Sequence, residues 1–329
     1  NGKQVRAAST ILATGARAKD LPHVKTDGKL IWTAREAMTP SFLPEKLLVV
    51  GAGAIGVEFA SFYSTLGSSV TLVEALDQVL PTEDAEISTL AQAAFEKEGI
   101  RVLTGVGIEE VKSSAKKVSA SIGGKQEKYD ALMLAVGVSG NVHDLNLEAA
   151  RVSTDKGFVT VDSRQQSSTT GIYAIGDVTG APCLAHKASH EGIIAAESIA
   201  GLNPAPLDRK RIPGCTYSYP QIASIGLMEA DLAGHEIKVG RFPFVANGKA
   251  HAIGEADGLI KTIFDASSGE LLGAHMIGPG VTELVQGFAI AMGLETTEAE
   301  LIGTIFPHPT LSESMHESVL SAYGRELNI

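Results

Sequence analysis

Two clusters of residues in this chain are of types and spacings that could do chemistry. The first is His308-Pro309-Thr310-Leu311-Ser312-Glu313. Pro309 excludes a continuous helix through His308, so the imidazole is expected in the turn before a final helix and Glu313 in that helix's first turn. A carboxylate so placed can hydrogen-bond one imidazole nitrogen, fix the tautomer and raise its basicity, leaving the other nitrogen to take a proton. The same residues also spell a capping box, Thr310-x-x-Glu313, in which the carboxylate would serve the Thr310 backbone and contribute about 1 kcal/mol. Local sequence by itself favours the cap.

The second cluster is the glycine run Gly51-Ala52-Gly53-Ala54-Ile55-Gly56. An apolar run, Leu47 to Val50, precedes it, and Ile55, Phe59, Phe62 and Leu66 follow at helical spacing. A second apolar run, Val70 to Val73, ends in Glu74. Strand, glycine turn, helix and strand make a βαβ unit of the dinucleotide-binding kind. Gly51 permits the tight turn, Gly53 lets the backbone approach a pyrophosphate, and Gly56 lets helix and strand pack closely. The helix N–H groups, those of Ala54 and Ile55 included, face the phosphates. Glu74 stands 21 positions after Gly53, where a carboxylate accepts from a ribose 2′-hydroxyl and repels a 2′-phosphate. NAD is therefore expected rather than NADP.

The elements around these clusters follow from composition and pattern. With 329 residues and 44% hydrophobic content, the chain is long enough for two or three domains with their own cores. A net charge of −11, with no basic run beyond Arg209-Lys210-Arg211, argues against nucleic acid or an anionic membrane as the main partner. No apolar stretch approaches the ~20 residues of a membrane span. Two cysteines, Cys183 and Cys215, suit a reducing compartment and are read as packing thiols. His186 and His190 have a metal-like spacing without an evident third ligand, so no metal is expected. His316 is read as a helix-surface or interface residue.

Along the chain, Trp32 to Met38 is expected to be a short helix, and Asp84 to Glu98 an amphipathic one ended by Gly99. Ile100 to Leu103 reads as a parallel strand, and Ile108 to Val136 as an antiparallel meander whose last strand, from Ala131, is wholly apolar and buried. An apolar strand then ends at Gly176-Asp177, and a helix begins near His186. Lys238 to Phe244, Leu259 to Phe264 and Leu271 to Ile277 read as antiparallel strands, and Val281 to Met292 as a helix. A shorter helix, Ala299 to Gly303, is capped by Thr297 with Glu300. The chain starts at Asn1 without methionine and enters a strand-like run at once, so a fragment beginning inside a domain is expected.

The order GAGAIGVEFA, Glu74, YAIGDV, LAHKA and HPTLSE resembles the flavoprotein disulfide reductases, and among them the dihydrolipoamide dehydrogenase family. FPFVANGKAHAIGEADG and LLGAHMIGPGVTELV are similar to that family's interface domain. The resemblance implies an α/β fold, with a Rossmann-like NAD domain (28–139) inserted in a partial FAD domain (1–27 and 140–207) and an α+β dimerisation domain (208–329). It implies His308 and Glu313 as the catalytic pair, Glu58 near the nicotinamide, and Asp177 on the ribityl chain of FAD. It also places Leu184, Ala185 and His186 near the isoalloxazine ring and Gly137 at the turn closing the NAD domain. The family's first glycine motif and its Cys-x4-Cys pair are not among these residues, and Val138 and Ser139 stand where many relatives carry Arg or Lys. An incomplete FAD site and an inactive isolated chain are therefore expected. Further implied are a homodimer, lipoyl domains of 2-oxo acid dehydrogenase complexes as partners, and a bacterial cytoplasm or mitochondrial matrix as location. The rival readings are another flavin-dependent disulfide reductase or a non-catalytic NADH-binding scaffold without the cysteine pair.

Overall fold

The computed structural model describes residues 4–328, so Asn1, Gly2, Lys3 and Ile329 lie outside the description. The chain divides into two compact units, one taking the residues through Lys19 with Gly137–Arg209, the other Asp20–Val136 with Lys210 onward. In the second unit a parallel sheet runs in the order Ile31–Trp32, Ala131–Leu134, Lys46–Val50, Ser69–Val73, Arg101–Leu103. Leu47, Leu48, Val49 and Val50 are all buried, as a strand covered on both faces requires.

The helix Ala54–Thr65 packs through Gly56, Val57, Ala60 and Tyr63. The larger residues whose spacing marks it as a helix, Ile55, Phe62 and Leu66, point outward. Close helix–sheet packing selects small side chains, so the apolar period located the element while the glycine and alanine determine its inner face. Tyr63 is the exception in size, and its buried hydroxyl donates to Ala37 O at 2.7 Å.

Two expectations are corrected here. The antiparallel meander consists of Ile108–Ser113, Val118–Ile122 and Lys125–Tyr129 only. Ala131–Leu134 instead pairs in parallel with Lys46–Val50 and Ile31–Trp32, because four consecutive apolar residues are buried on both faces only inside the sheet. The helix expected from Trp32 starts at Ala34; Ile31–Trp32 is a sheet strand, and Thr33 caps the helix with Glu36 in a capping box.

The C-terminal part of this unit is a five-stranded antiparallel sheet ordered Gly214–Thr216, Gln221–Gly226, Leu271–Gly278, Leu259–Asp265, Ile237–Pro243. The helices Val281–Gly293 and Glu298–Gly303 follow, the latter with the Thr297–Glu300 capping box in place. The first two strands escape sequence reading because Gly214–Thr216 has only three residues, while Gln221–Gly226 lacks both a continuous apolar run and a clean alternation. The final helix, Glu313–Ser321, lies so close to the edge strand that a Cβ at Gly240 would stand 1.8 Å from Ser318 O.

One rung of this sheet faces the start of the helix Ala85–Lys97. Buried Lys261 donates to both oxygens of Asp84, at 2.9 and 3.0 Å, while Arg241 meets Glu86 at 2.9 Å. Asp84 also caps that helix. Beside them burial pushes the Glu83 carboxyl up to about 7, opposed by a hydrogen bond from Ser224. Between its ordinary 4.5 and about 7, the folded protein keeps a proton that the unfolded chain releases. Glu83 therefore contributes stability at low pH that is lost as pH rises through this window, by about 3 kcal/mol at most. Relative to Glu83→Gln, the parent's melting temperature is expected to fall between pH 5 and 8; a constant gap would show that Glu83 does not titrate there.

Candidate functional site

The glycine bend leaves the strand Lys46–Val50 and enters its helix as the spacing predicts. Gly51 has φ +99°, and a Cβ on it would stand 2.4 Å from Ala135 O, so backbone crosses there at a distance no side chain tolerates. Gly56 is tighter, its Cβ 1.8 Å from Gly51 O. At Gly53 the situation reverses, since nothing lies within 4 Å of a Cβ. That open space borders the start of the helix, whose N-cap is Gly53 with no side-chain hydrogen bond, and Ala54 and Ile55 are exposed beside it. Backbone donors, positive helix end and free volume fit a diphosphate.

Buried Glu74 organises the bend. One carboxylate oxygen accepts from Ala52 N at 2.7 Å and the other from Leu76 N at 2.9 Å. Each oxygen keeps a lone pair for a ribose hydroxyl, so the acid fits its expected place. Glu58, half-buried one turn into the helix, accepts from Tyr217 N at 2.8 Å. This bond fixes its carboxylate from the C-terminal part of the unit, across 159 positions of sequence.

His308 and Glu313 are brought together. Nδ1 of His308 meets Oε1 of Glu313 at 2.9 Å, while the imidazole side chain remains 80% exposed. The second oxygen, Oε2, accepts from Thr310 N at 2.9 Å. One carboxylate thus orients the imidazole with one oxygen and takes the Thr310 N–H with the other, but the capping box is only half formed, because the helix N-cap is Ser312 and the Thr310 hydroxyl turns to Pro307 O and Ser312 Oγ. Burial would raise the Glu313 carboxyl, but the Thr310 N–H and the His308 imidazole outweigh it and hold it below the usual range. An ionised acceptor on Nδ1 puts the proton on Nδ1 and leaves the Nε2 lone pair facing outward. Thr310 Oγ1 donates to Pro307 O at 2.7 Å, which tightens the turn.

In the other unit, Thr10–Leu12 pairs in parallel with Ile172–Ala174, so the ILATG and YAIGD stretches leave neighbouring strands at the same end. Asp177 lies in the short turn Gly176–Thr179 after the second strand, partly exposed. The helix Ala185–Ile199 then begins with no side-chain cap at Leu184; Leu184 is half-buried, and Ala185 and His186 are exposed. A carboxylate next to uncapped helix amides suits the hydroxyls and polar ring edge of a flavin. Gly137 (φ +96°) turns into Val138–Gly140, which pairs antiparallel with Ala16–Ala18.

Beneath Asp177 lies a pair that sequence reading missed. Lys187 and Glu191 face each other at 3.3 Å with both side chains at 0% exposure. Their i, i+4 spacing is visible in the sequence, but the same spacing marks solvent-exposed pairs far more often, so burial alone sets this one apart. Burial also raises both thiols, Cys183 and Cys215, which are half-buried and not cross-linked. His316 stacks on Phe306 at 5.1 Å and bonds Ile302 O, a packing role within its unit.

A βαβ glycine cradle, a turn suited to a flavin and an imidazole steadied by a carboxylate are the features of the disulphide oxidoreductase class. The family signature described as pyridine nucleotide-disulphide oxidoreductase matches residues 1–192, and that family's dimerisation domain matches 212–319; the chain belongs to this family. Within it the chain is a homologue of dihydrolipoyl dehydrogenase. It is 52% identical to that enzyme of Zymomonas mobilis over 99% of this chain and 72% of the relative, and 53% identical to that of Rhizobium etli over 98% and 69%. Among solved structures, LpdA from Mycobacterium tuberculosis superposes with a TM-score of 0.88 at 29% identity, covering 94% of this chain and 68% of that one. The HOCl-induced flavoprotein disulfide reductase RclA from Escherichia coli gives 0.87 at 27%, covering 94% and 73%. Among the described residues, no helix is long and apolar enough to cross a membrane.

Proposed function

We propose that this chain carries the NAD-binding, acid–base and dimerisation parts of a dihydrolipoyl dehydrogenase, which oxidises dihydrolipoyl groups of 2-oxo acid dehydrogenase complexes and reduces NAD. The observation that supports it most is the exposed His308 imidazole with Glu313 on Nδ1 at 2.9 Å. His308 Nε2 takes the proton of a dihydrolipoyl thiol, and Glu313 stabilises the imidazolium that results. FAD, when bound, supplies the two-electron link between thiols and nicotinamide; Asp177 holds its ribityl hydroxyls and the Leu184–His186 segment lies at its ring. Gly51, Gly53, Ala54, Ile55 and Gly56 hold the NAD diphosphate, Glu74 the adenosine ribose and Glu58 the nicotinamide end.

A base exposed this far is not shielded from water by its own unit. The chain therefore acts as a homodimer, in which one protomer presents His308 to its partner's flavin. Exposed Ile290, Leu294 and Ile305, in the segment matching the dimerisation domain, are the apolar surface that such a dimer would cover. A reducing compartment, bacterial cytoplasm or mitochondrial matrix, suits the two raised, unpaired thiols.

The 329 residues contain no Cys-x4-Cys pair, and by themselves they are expected to bind NADH but not to oxidise dihydrolipoamide. Calorimetric titration should find NADH tighter than NADPH by at least tenfold, because the buried Glu74 carboxylate opposes a 2′-phosphate. Tighter NADPH binding would overturn the coenzyme choice, and dihydrolipoamide turnover by this chain alone would overturn the need for the cysteine pair. In the complete enzyme, dihydrolipoamide-dependent NAD reduction tests the substrate itself; turnover only with other disulfides would favour a different reductase.

A further inference from the structure

We propose that the buried Lys187–Glu191 pair is a positioning device for FAD, holding Asp177 and the amide end of its own helix in one rigid arrangement. This rests on the reading of Asp177 as the ribityl contact. The turn that bears Asp177 runs between Gly176 and Gly180, at φ +74° and +93°, so its two ends are the least constrained residues available. Lys187 reaches both. Its Nζ donates to Gly180 O at 2.9 Å, to Thr179 Oγ1 at 3.3 Å and to Gly176 O at 3.4 Å. Glu191 takes the remaining group, accepting from Gly176 N at 2.7 Å.

Arg209 closes the arrangement, donating to Ala181 O at 2.9 Å and standing 3.8 Å from Glu191. The polar contacts of the pair thus converge on the backbone flanking Asp177, and they come from the helix whose uncapped start adjoins the same turn. A fully buried ion pair contributes little net stability, because desolvation offsets its attraction. What it does supply is direction: three ammonium donors and one carboxylate acceptor fix carbonyls and an amide that glycines leave free. The pair sets FAD affinity more than it sets the stability of the fold.

The test uses the complete enzyme stripped of flavin and titrated with FAD, following flavin fluorescence, with the melting temperature of each apoprotein as the companion measurement. Lys187→Met combined with Glu191→Leu replaces both charges by apolar groups of similar size and is expected to melt within a few degrees of the parent. It is expected to bind FAD at least tenfold more weakly. Glu191→Gln keeps an acceptor for Gly176 N and should lose less affinity than Glu191→Ala. FAD affinity equal to the parent's in the double variant overturns the proposal, as does a lowered melting temperature with unchanged affinity in the folded fraction. If the double variant does not fold, parental affinity in both Glu191→Gln and Glu191→Ala overturns it instead. Asp177→Asn separates the two readings: unchanged affinity there refutes the ribityl contact, whereas weakened affinity there with parental affinity in the pair variants refutes the pair alone.

Discussion

Replacing His308 with glutamine in the complete enzyme is expected to lower kcat for dihydrolipoamide oxidation by about 10²–10⁴-fold, the range over which a positioned general base acts. Glutamine keeps the size and can still donate toward Glu313, but it offers no nitrogen that takes a proton. The geometry makes the loss specific. Glu313 accepts on Nδ1 at 2.9 Å, so Nε2 alone is left to take a proton. Transfer of electrons from NADH to an artificial acceptor needs no thiol deprotonation and should remain within a few-fold of the parent.

The deficit should also narrow toward pH 9, where a growing fraction of the substrate thiol ionises unaided. Glu313→Gln is expected to do less harm because the imidazole remains, but one amide oxygen cannot accept from both the Thr310 N–H and His308 Nδ1, so the imidazole loses its fixed tautomer as well as the counter-charge of its imidazolium. Near-parental turnover in His308→Gln, measured at saturating dihydrolipoamide and neutral pH, would remove His308 from the chemistry.

The second large effect belongs to the glycine bend, where two alanine substitutions should behave differently. At Gly56 the added Cβ would meet Gly51 O at 1.8 Å, and that atom is backbone, so strand and helix must separate. Gly56→Ala is expected to lower the melting temperature clearly, an overpacking cost of about 1–3 kcal/mol, and to abolish measurable NADH binding. At Gly53 the backbone already has φ −71°, which alanine adopts freely, and the Cβ would project into open space. Gly53→Ala should therefore melt like the parent and still bind NADH at least tenfold more weakly, because the methyl group fills the volume assigned to the diphosphate. NADH affinity unchanged in Gly53→Ala would show that the diphosphate lies elsewhere. Loss of stability in both variants would reduce the bend to a packing element.

Most of the recognisable elements were legible because their signals are local. The glycine bend, the Thr297–Glu300 capping box and the helix ended by Gly99 each rest on residues within a few positions of one another. The His308–Glu313 bond is local as well, five positions apart, which is why its members could be named in advance. Even so, local sequence offered orienting and capping as rivals, and only the tertiary structure shows one oxygen on the imidazole, the other on the Thr310 N–H, and the helix capped at Ser312 instead of Thr310.

What the amino-acid order determined alone is thus the βαβ motif, the acid after its second strand, the turn that carries the imidazole and the family these define. Tertiary structure decided which strands are neighbours: Thr10–Leu12 lies beside Ile172–Ala174, and Ala131–Leu134 lies inside the parallel sheet instead of the meander. It also decided burial. It sent Lys187 and Glu191 inward while Ile55 and Phe62 of another helix face outward, and it raised Glu83 by burying it, against the opposing hydrogen bond from Ser224, more than a hundred residues away. The physical reason is common to all of these. Hydrogen-bonded turns and caps are settled by the nearest few residues, whereas desolvation and strand pairing depend on which distant segments displace water from a given side chain.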